Sequence, residues 1–492
     1  MKLRELLRDV PVREIRGDQD VEITSVTPDS RMVRAGSLFV AIPGTQKDGE
    51  EFIPMAREKG AAAIVATSGE ANILVDDPRE ALALIAANFF GRPAEKLSLV
   101  GVTGTSGKTT TTKMIESIFD ASKEPVGLIG TIEYRAGDEV LSADRTTPDA
   151  VVLQEWLGKM VTAGVRHAVM EVSSHALALK RTHGIHFAAA VFTNLSRDHF
   201  DFHKDFEDYF SAKKMLFDQI DRTQRTAVVN LDDEYGARLA TELGRSALTF
   251  GWRAGAHVRA SKGFEVSVRG LRGTVHTPHG DVEVESNLLG QPNLYNWLGA
   301  IGAALLVGIP IETIEAGIRN LDSVRGRFEK VGTSEPTVIV DYAHKPDALE
   351  KLLNAVRDLA GRKRKVTIVF GCGGDRDKGK RALMGEIAMR LADEVILTSD
   401  NPRGEDPEAI LDEIARGIEG EGYRRIADRR EAITAAIENA GPSDVVVIAG
   451  KGHETYQIAG DRVSHFDDRE EAELALKKRH ENSLPNTAQN QA

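Results

Sequence analysis

Several runs of residues in this chain carry side chains suited to group transfer. Gly104-Thr105-Ser106-Gly107-Lys108-Thr109-Thr110 follows an apolar run, Leu97–Thr103, and precedes a helical pattern. Glycines let backbone N–H groups wrap a phosphate, and the helix N-terminus behind them favours the anion. The lysine neutralises charge and the following threonine can hold Mg²⁺. All of these residues are candidates for binding a nucleoside triphosphate. The general phosphate-loop pattern asks for another glycine at position 102, where Val102 stands, so the loop is a shortened variant. Glu171 closes one apolar run and Asn194 follows another, opening Asn194-Leu195-Ser196-Arg197-Asp198-His199. Mg²⁺ prefers hard oxygen ligands, one or two carboxylates plus substrate phosphates. Thr109 and Glu171 suit it, and His199 fits a second metal position.

Asp400-Asn401-Pro402-Arg403 follows a Val- and Ile-rich run, Glu394–Thr398. The rigid fork of Arg403 matches a carboxylate. Arg376 lies after another such run, and Asp400 and Glu454 can accept from an ammonium. Two cationic forks with acidic acceptors suit a zwitterion that carries an extra carboxylate. A turn with surface ion pairs is the plainer alternative, since Asn-Pro is a turn former.

These residues need elements to position them. The first block, 1–97, has strand-like runs at Ser37–Ile42 and Ala62–Val65, a helical stretch Glu80–Phe90, and a stop at Gly91-Arg92-Pro93. The charged, leucine-bearing opening Met1–Asp9 reads as an amphipathic helix. The second block, 98–329, alternates strands and helices. His167–Val172 and Ala188–Thr193 are buried-strand candidates. Thr147-Pro148-Asp149 reads as an N-cap with proline at the first helical position, opening a helix whose face is Leu153, Trp156, Leu157 and Met160. Residues 245–285 alternate and are rich in glycine, which predicts an antiparallel excursion. The third block, 330–480, alternates Val338–Val340, Val366–Phe370, Glu394–Thr398 and Asp444–Ala449 with helices, such as one that buries Leu349, Leu352, Leu353 and Val356. That order predicts a doubly wound parallel sheet. Asp341, Gly371–Arg376, Asp400–Arg403 and Gly450–Glu454 then follow strand carboxyl ends, where open α/β sheets bind ligands. Residues 481–492 are polar and read as a disordered tail.

Composition supports this division. At about 150 residues per domain, a chain of 492 residues holds roughly three. The net charge of −12 argues against nucleic acid or anionic membrane as partner. No apolar run reaches the ~18 residues of a membrane span. A single cysteine, Cys372, excludes an internal disulfide and a Cys-rich zinc site, and suits a reducing cytoplasm. Its expected role is that of a small buried hydrophobe. A cytoplasmic protein acting as a monomer is expected.

Gly104–Thr110, Glu171, Asn194–His199 and Lys213 in Tyr209-Phe210-Ser211-Ala212-Lys213-Lys214 together resemble the Mur ligase family, ATP-dependent amide ligases of peptidoglycan precursor synthesis. The resemblance spans about residues 25–470. It implies an N-terminal UDP-binding α/β domain, a central ATPase-type α/β domain and a C-terminal Rossmann-like domain. It implies that Lys213 is carbamylated by CO₂ and helps hold a second Mg²⁺. An ammonium itself cannot ligate a metal, and from the residues alone Lys214 is a rival. ATP contacts are implied at Asn293, Asn296, Arg327 and Asp341. The UDP part is implied at Asp29-Ser30-Arg31 and Thr45-Gln46-Lys47. Thr146, Thr147, Ser173 and Arg181 match positions for the muramoyl-dipeptide, whereas Leu179 stands where some members carry Gln. Asp400-Asn401-Pro402-Arg403 is similar to the run of members that add meso-2,6-diaminopimelate, while members adding L-lysine lack the Arg. Arg376, Asp400, Asn401, Pro402, Arg403, Gly450 and Glu454 are then expected around the amino acid. The substrates so implied are UDP-MurNAc-L-Ala-D-Glu and diaminopimelate. A related ligase using L-lysine and a P-loop regulatory ATPase are the alternatives.

Overall fold

The computed structural model describes residues 1–44, 48–420 and 422–483. The strand that carries the glycine-rich loop, Ser98–Thr103, is buried along nearly its whole length because it lies inside a parallel sheet. Eight strands make this sheet, in the order Ala247–Phe250, Ala227–Asn230, Ala189–Phe192, Ser98–Thr103, His167–Glu171, Val126–Ile129, Glu133–Ala136 and Glu139–Ser142. The first six are parallel, and the last two close one side as an antiparallel hairpin. Adjacent strands end in step: Glu171 pairs with Val102 and Phe192 with Thr103. The residues that follow these strands therefore meet at one edge of the sheet. The strand order also turns there, since chain segments on both sides of Ser98–Thr103 come later in sequence.

The N-terminal strands form a separate five-stranded sheet over a core that includes Leu6, Leu38, Val65 and Ile85. The helix Pro78–Phe89 covers it, capped by the Asp77 carboxylate on the N–H groups of Arg79 and Glu80. The opening helix is only Leu3–Leu6, because the chain turns at Asp9, which has φ +59°. The helix after Pro148 starts later than predicted. Asp149, not Thr147, is its N-cap, and its carboxylate accepts from Val151 and Val152 over the helix Ala150–Thr162. A carboxylate is the better acceptor for two N–H groups, which leaves the Thr147 hydroxyl for the site described below. The buried face Leu153, Trp156, Leu157 and Met160 is as the spacing predicts.

The antiparallel excursion consists of Arg259–Ala260, Glu265–Ser267, Gly270–Thr277 and Gly280–Ser286. Ala247–Phe250, within the range predicted for it, instead joins the edge of the eight-stranded parallel sheet. The C-terminal sheet has the order Glu329–Val331, Thr337–Asp341, Val445–Ala449, Val366–Phe370, Glu394–Leu397 and Tyr423–Arg425, parallel except for its first strand. The helix Pro346–Ala360 buries Leu349, Leu352, Leu353 and Val356 against it. Cys372 is buried in the same core, and burial raises its thiol pKa to about 12, so it acts as a small apolar residue. The final helix is Asp468–Ser483, so residues 481–483 belong to it rather than to a tail; 484–492 lie outside the described residues.

Packing divides the chain into two units. Residues 1–260, 275–282 and 295–318 form the first, which holds both the N-terminal and the central sheet; 261–274, 283–294 and the chain from 319 onward form the second. Leu289 and Phe328 join the C-terminal core, and Lys330 Nζ donates to Val268 O at 3.2 Å. Among the described residues no helix is long and apolar enough to cross a membrane.

Candidate functional site

The glycine-rich loop in the first unit is shaped by close backbone approach. Gly104 has φ +148°, and a Cβ there would stand 1.9 Å from Thr193 Oγ1. Gly107, at φ +86°, caps the helix Lys108–Asp120, and a Cβ there would stand 2.5 Å from Asn296 Oδ1. Only glycine fits either place. Asn194 pins the loop from the neighbouring strand end. Its Oδ1 accepts from Ser106 N at 3.0 Å, its Nδ2 donates to Ser106 O at 3.1 Å, and its carbonyl accepts from Thr105 N at 2.8 Å. Lys108 Nζ folds back to Gly104 O and Thr105 O, at 2.9 and 3.1 Å. Asn296 reaches the same helix, with its Oδ1 accepting from Thr111 Oγ1 at 3.3 Å.

Thr109 Oγ1 donates to Glu171 Oε2 at 3.0 Å, so the two predicted Mg²⁺ ligands lie together. Thr131, which the sequence reading did not include, adds its N–H to Oε1 at 2.7 Å and its hydroxyl to Oε2 at 3.0 Å. Thr131 also contacts the Thr146 hydroxyl at 3.0 Å. Its signal was available: it follows the strand Val126–Ile129 by two residues.

Lys213 also reaches the loop. It is fully buried, and its Nζ donates to Gly104 O at 2.7 Å and sits 4.4 Å from the centre of the Tyr209 ring. Burial pushes the amine well below the usual lysine range; the Lys108 charge adds to this and Asp198 opposes it. Lys214 is half exposed and paired with Glu242. His199 has φ +56° and packs its ring edge-to-face on His175 at 4.8 Å, with Tyr209 at 6.2 Å. Thr105 Oγ1 lies 3.3 Å from the Tyr209 hydroxyl, which ties the loop to this cluster.

Thr146, Thr147, Ser173 and Arg181 gather beyond Glu171. Thr147 Oγ1 donates to Glu171 O at 2.8 Å and accepts from Ser173 N at 3.1 Å. Ser173 caps the short helix Ser174–Ala178. Arg181 Nη1 donates to Thr147 O at 2.8 Å. The preceding residue, Lys180, bridges Asp77 and Glu80 of the N-terminal domain at 2.9 and 2.5 Å. Ser30 is buried beside the Asp29–Arg31 ion pair, and its carbonyl accepts from Lys59 at 3.1 Å; no described contact joins it to the loop site. Thr45, Gln46 and Lys47 lie outside the described residues.

In the second unit, Asp341 pairs with Ala449, Ala449 with Phe370 and Phe370 with Leu397, so four strand ends are level. Gly450, at φ +117°, lets Asp400 approach: a Cβ there would stand 2.8 Å from its Oδ2. Gly374 approaches Pro402 in the same way, its Cβ position 1.9 Å from the Pro402 carbonyl oxygen, and its N–H donates to Asn401 O. Asn401 Nδ2 donates to Glu454 Oε2 at 3.0 Å. Arg403, at φ +51°, exchanges backbone hydrogen bonds with Ile458 and Gly460, and its Nη1 donates to Gly374 O at 3.0 Å. Arg376 is exposed at the rim. Asp341 first serves its own turn, accepting from Phe328 N and Ala343 N, while Arg327 lies over the Tyr342 ring at 4.9 Å. Asn293 Nδ2 donates to Leu289 O at 2.9 Å.

Three family models match the chain: the Mur ligase family catalytic domain at residues 22–90, the Mur ligase middle domain at 102–304 and the Mur ligase glutamate ligase domain at 326–452. The chain belongs to the Mur ligase family. Its relatives include proteins from Bacillus velezensis and Gloeobacter violaceus, each named UDP-N-acetylmuramoyl-L-alanyl-D-glutamate--2,6-diaminopimelate ligase. They are 46% identical over 490 residues and 47% over 489, covering 97% of this chain and 99% of their own. A solved structure of a ligase with that name is 33% identical, covers 98% of this chain and 99% of its own, and superposes with a TM-score of 0.72. The MurF ligase from Thermotoga maritima in complex with ADP shares the fold, at 20% identity, 95% and 100% coverage and a TM-score of 0.58.

The donor set of this Mur ligase fits Mg²⁺ at the loop. Thr109 and Glu171 offer hard oxygens at a helix N-terminus. Among the described residues no three His, Cys, Asp or Glu side chains converge on one point, so hydroxyl and phosphate oxygens would complete the shell. The residues that brace the C-terminal site were not evident from sequence. Arg381 is fully buried on Glu405 and Glu413, at 2.9 and 2.8 Å, and it fixes the turns around Gly373 and Glu405. Arg429 is buried on Asp468 and donates to Ala449 O and Ser399 O at two strand ends. No local pattern distinguishes such arginines from surface ones.

Proposed function

We propose that this chain is an ADP-forming ligase that joins meso-2,6-diaminopimelate to the D-Glu γ-carboxylate of UDP-MurNAc-L-Ala-D-Glu, in the cytoplasmic assembly of peptidoglycan precursors. The observation that carries the choice of amino acid is the grouping of the Arg403 fork with Asp400, Asn401 and Glu454. A second amino-acid head offers the fork a carboxylate, and L-lysine does not.

A free carboxylate is a poor acyl donor, because its leaving group would be oxide. In the proposed reaction its oxygen attacks the γ-phosphorus of ATP, the bond to the β–γ bridging oxygen breaks, and ADP leaves. The amine then attacks the acyl carbon, the C–O bond to phosphate breaks, and the amine proton is lost. The N–H groups from Gly107 to Thr110 cradle the phosphates, and Lys108 meets the charge on the transferring group. Asn293, Asn296, Arg327 and Asp341 are assigned to ATP, and Ser30 with residues 45–47 to the uridine nucleotide. Thr146, Thr147, Ser173 and Arg181 hold the muramoyl-dipeptide. Mg²⁺, held by Thr109 and Glu171 and at a second position by His199 and carbamylated Lys213, would neutralise the phosphate oxygens. Arg376, Arg403 and Gly450 receive the amino acid's carboxylate end, and Asp400 and Glu454 its ammonium.

Phosphate release decides among the readings. It is expected only when the UDP-linked dipeptide and diaminopimelate are both present, with L-lysine supporting little. Release that ignores both would leave a regulatory ATPase, and release with L-lysine alone would overturn the amino-acid assignment.

Lys213 suits carbamylation because only a neutral amine attacks CO₂, and burial favours that form. With ¹³C-bicarbonate, a carbamate resonance is expected in the unmodified chain and in Lys214→Ala, and is lost in Lys213→Ala. A signal that survives in Lys213→Ala would remove the assignment.

A further inference from the structure

Resting on the reading of Glu454 and Asn401 as amino-acid contacts, we infer that Lys451 is a positioning residue that sets both of these side chains for the incoming amine. Lys451 is fully buried, among the few lysines so placed. Its Nζ lies 3.2 Å from Asn401 Oδ1 and 3.4 Å from Glu454 Oε2. An ammonium only donates, so it holds the oxygen end of the Asn401 amide toward itself. The Ile458 N–H donates to the same oxygen at 3.0 Å. The amide's other end must then face Glu454, and Asn401 Nδ2 donates to Glu454 Oε2 at 3.0 Å. Both donors fall on Oε2, which leaves Oε1 as the acceptor for the substrate amine.

The charges point the same way. Asp400, Glu454 and Asp468 all favour the charged lysine, and Arg429, which opposes it, forms a two-bonded pair with Asp468. Asp400 and Glu454 remain against the one charge of Lys451. Burial pushes the lysine's affinity for its proton down, and Asp400 is the strongest opposing influence. Without Lys451, Glu454 would lose its buried cationic partner, and Asn401 would be free to turn over.

Lys451→Met keeps the length and removes the charge. Its KM for diaminopimelate is expected to rise tenfold or more, while KM for ATP changes less than twofold. Glu454→Gln should raise the same KM, and the double variant should be no worse than about the larger single effect, because Lys451 acts through Glu454. Lys451→Gln, which retains a donor for Glu454, should show the same split at smaller amplitude, and it serves if Lys451→Met does not fold. An unchanged KM for diaminopimelate, an equal rise in both KM values, or additive effects in the double variant would overturn the role. If the unmodified chain shows no diaminopimelate-dependent phosphate release, the functional reading falls and this role falls with it. If that dependence is present and the variants show no split, only the role of Lys451 falls.

Discussion

Lys108→Ala is expected to lower kcat for diaminopimelate-dependent phosphate release by about a thousandfold, with folding intact. Removing one preorganised charge from a transferring group costs about 3–4 kcal/mol. The loop does not need this lysine to keep its shape. Gly104 and Gly107 set it by close approach to Thr193 and Asn296, and Asn194 holds it with three hydrogen bonds. Lys108 Nζ bonds Gly104 O and Thr105 O, beside these backbone and side-chain contacts. The loss should therefore fall on kcat, with the melting temperature changed little. Steady-state kinetics beside a thermal melt measures both, and unchanged turnover would remove the phosphate-loop assignment.

Arg403→Ala is expected to reduce the preference for diaminopimelate over L-lysine by about a hundredfold or more, measured as the ratio of kcat/KM values. A site built to pair a polar group rejects a ligand that lacks it strongly, because its own donors are left unpaired. Alanine removes that penalty for lysine and the attraction for the extra carboxylate together. The backbone should stay in place, since Arg403 N bonds Ile458 O and Arg403 O accepts from Gly460 N. Arg403→Lys is a useful contrast: it keeps the charge and loses the fork, and should recover only part of the preference. An unaltered ratio in Arg403→Ala would defeat the pocket assignment.

Much of this was legible in the residues. Short Val- and Ile-rich runs predict the C-terminal parallel sheet and two buried strands of the central one, because a strand covered on both faces must be apolar throughout. The glycine-rich loop was readable because glycine between a strand and a helix has few other uses there. The cap at Asp149 was missed by two residues, since Thr147, Pro148 and Asp149 can each stand near a helix start and only the hydrogen bonds choose. Ala247–Phe250 was assigned to the excursion because it adjoins it in sequence, and the chain instead adds it to the sheet edge.

The sequence by itself determined the fold class, the main strands of the C-terminal sheet and the family. Those rest on local periodicity and on motifs a few residues long. Only the tertiary structure decided which lysine of the Lys213–Lys214 pair is buried, because adjacent residues on a helix point in different directions. It alone brought Thr131 to Glu171, 40 residues away, and Lys451 to Asn401, 50 residues away. Such pairings depend on strand order and on where each strand stops. The residues beside a pair mark at most where one strand stops, never which strand lies next to it.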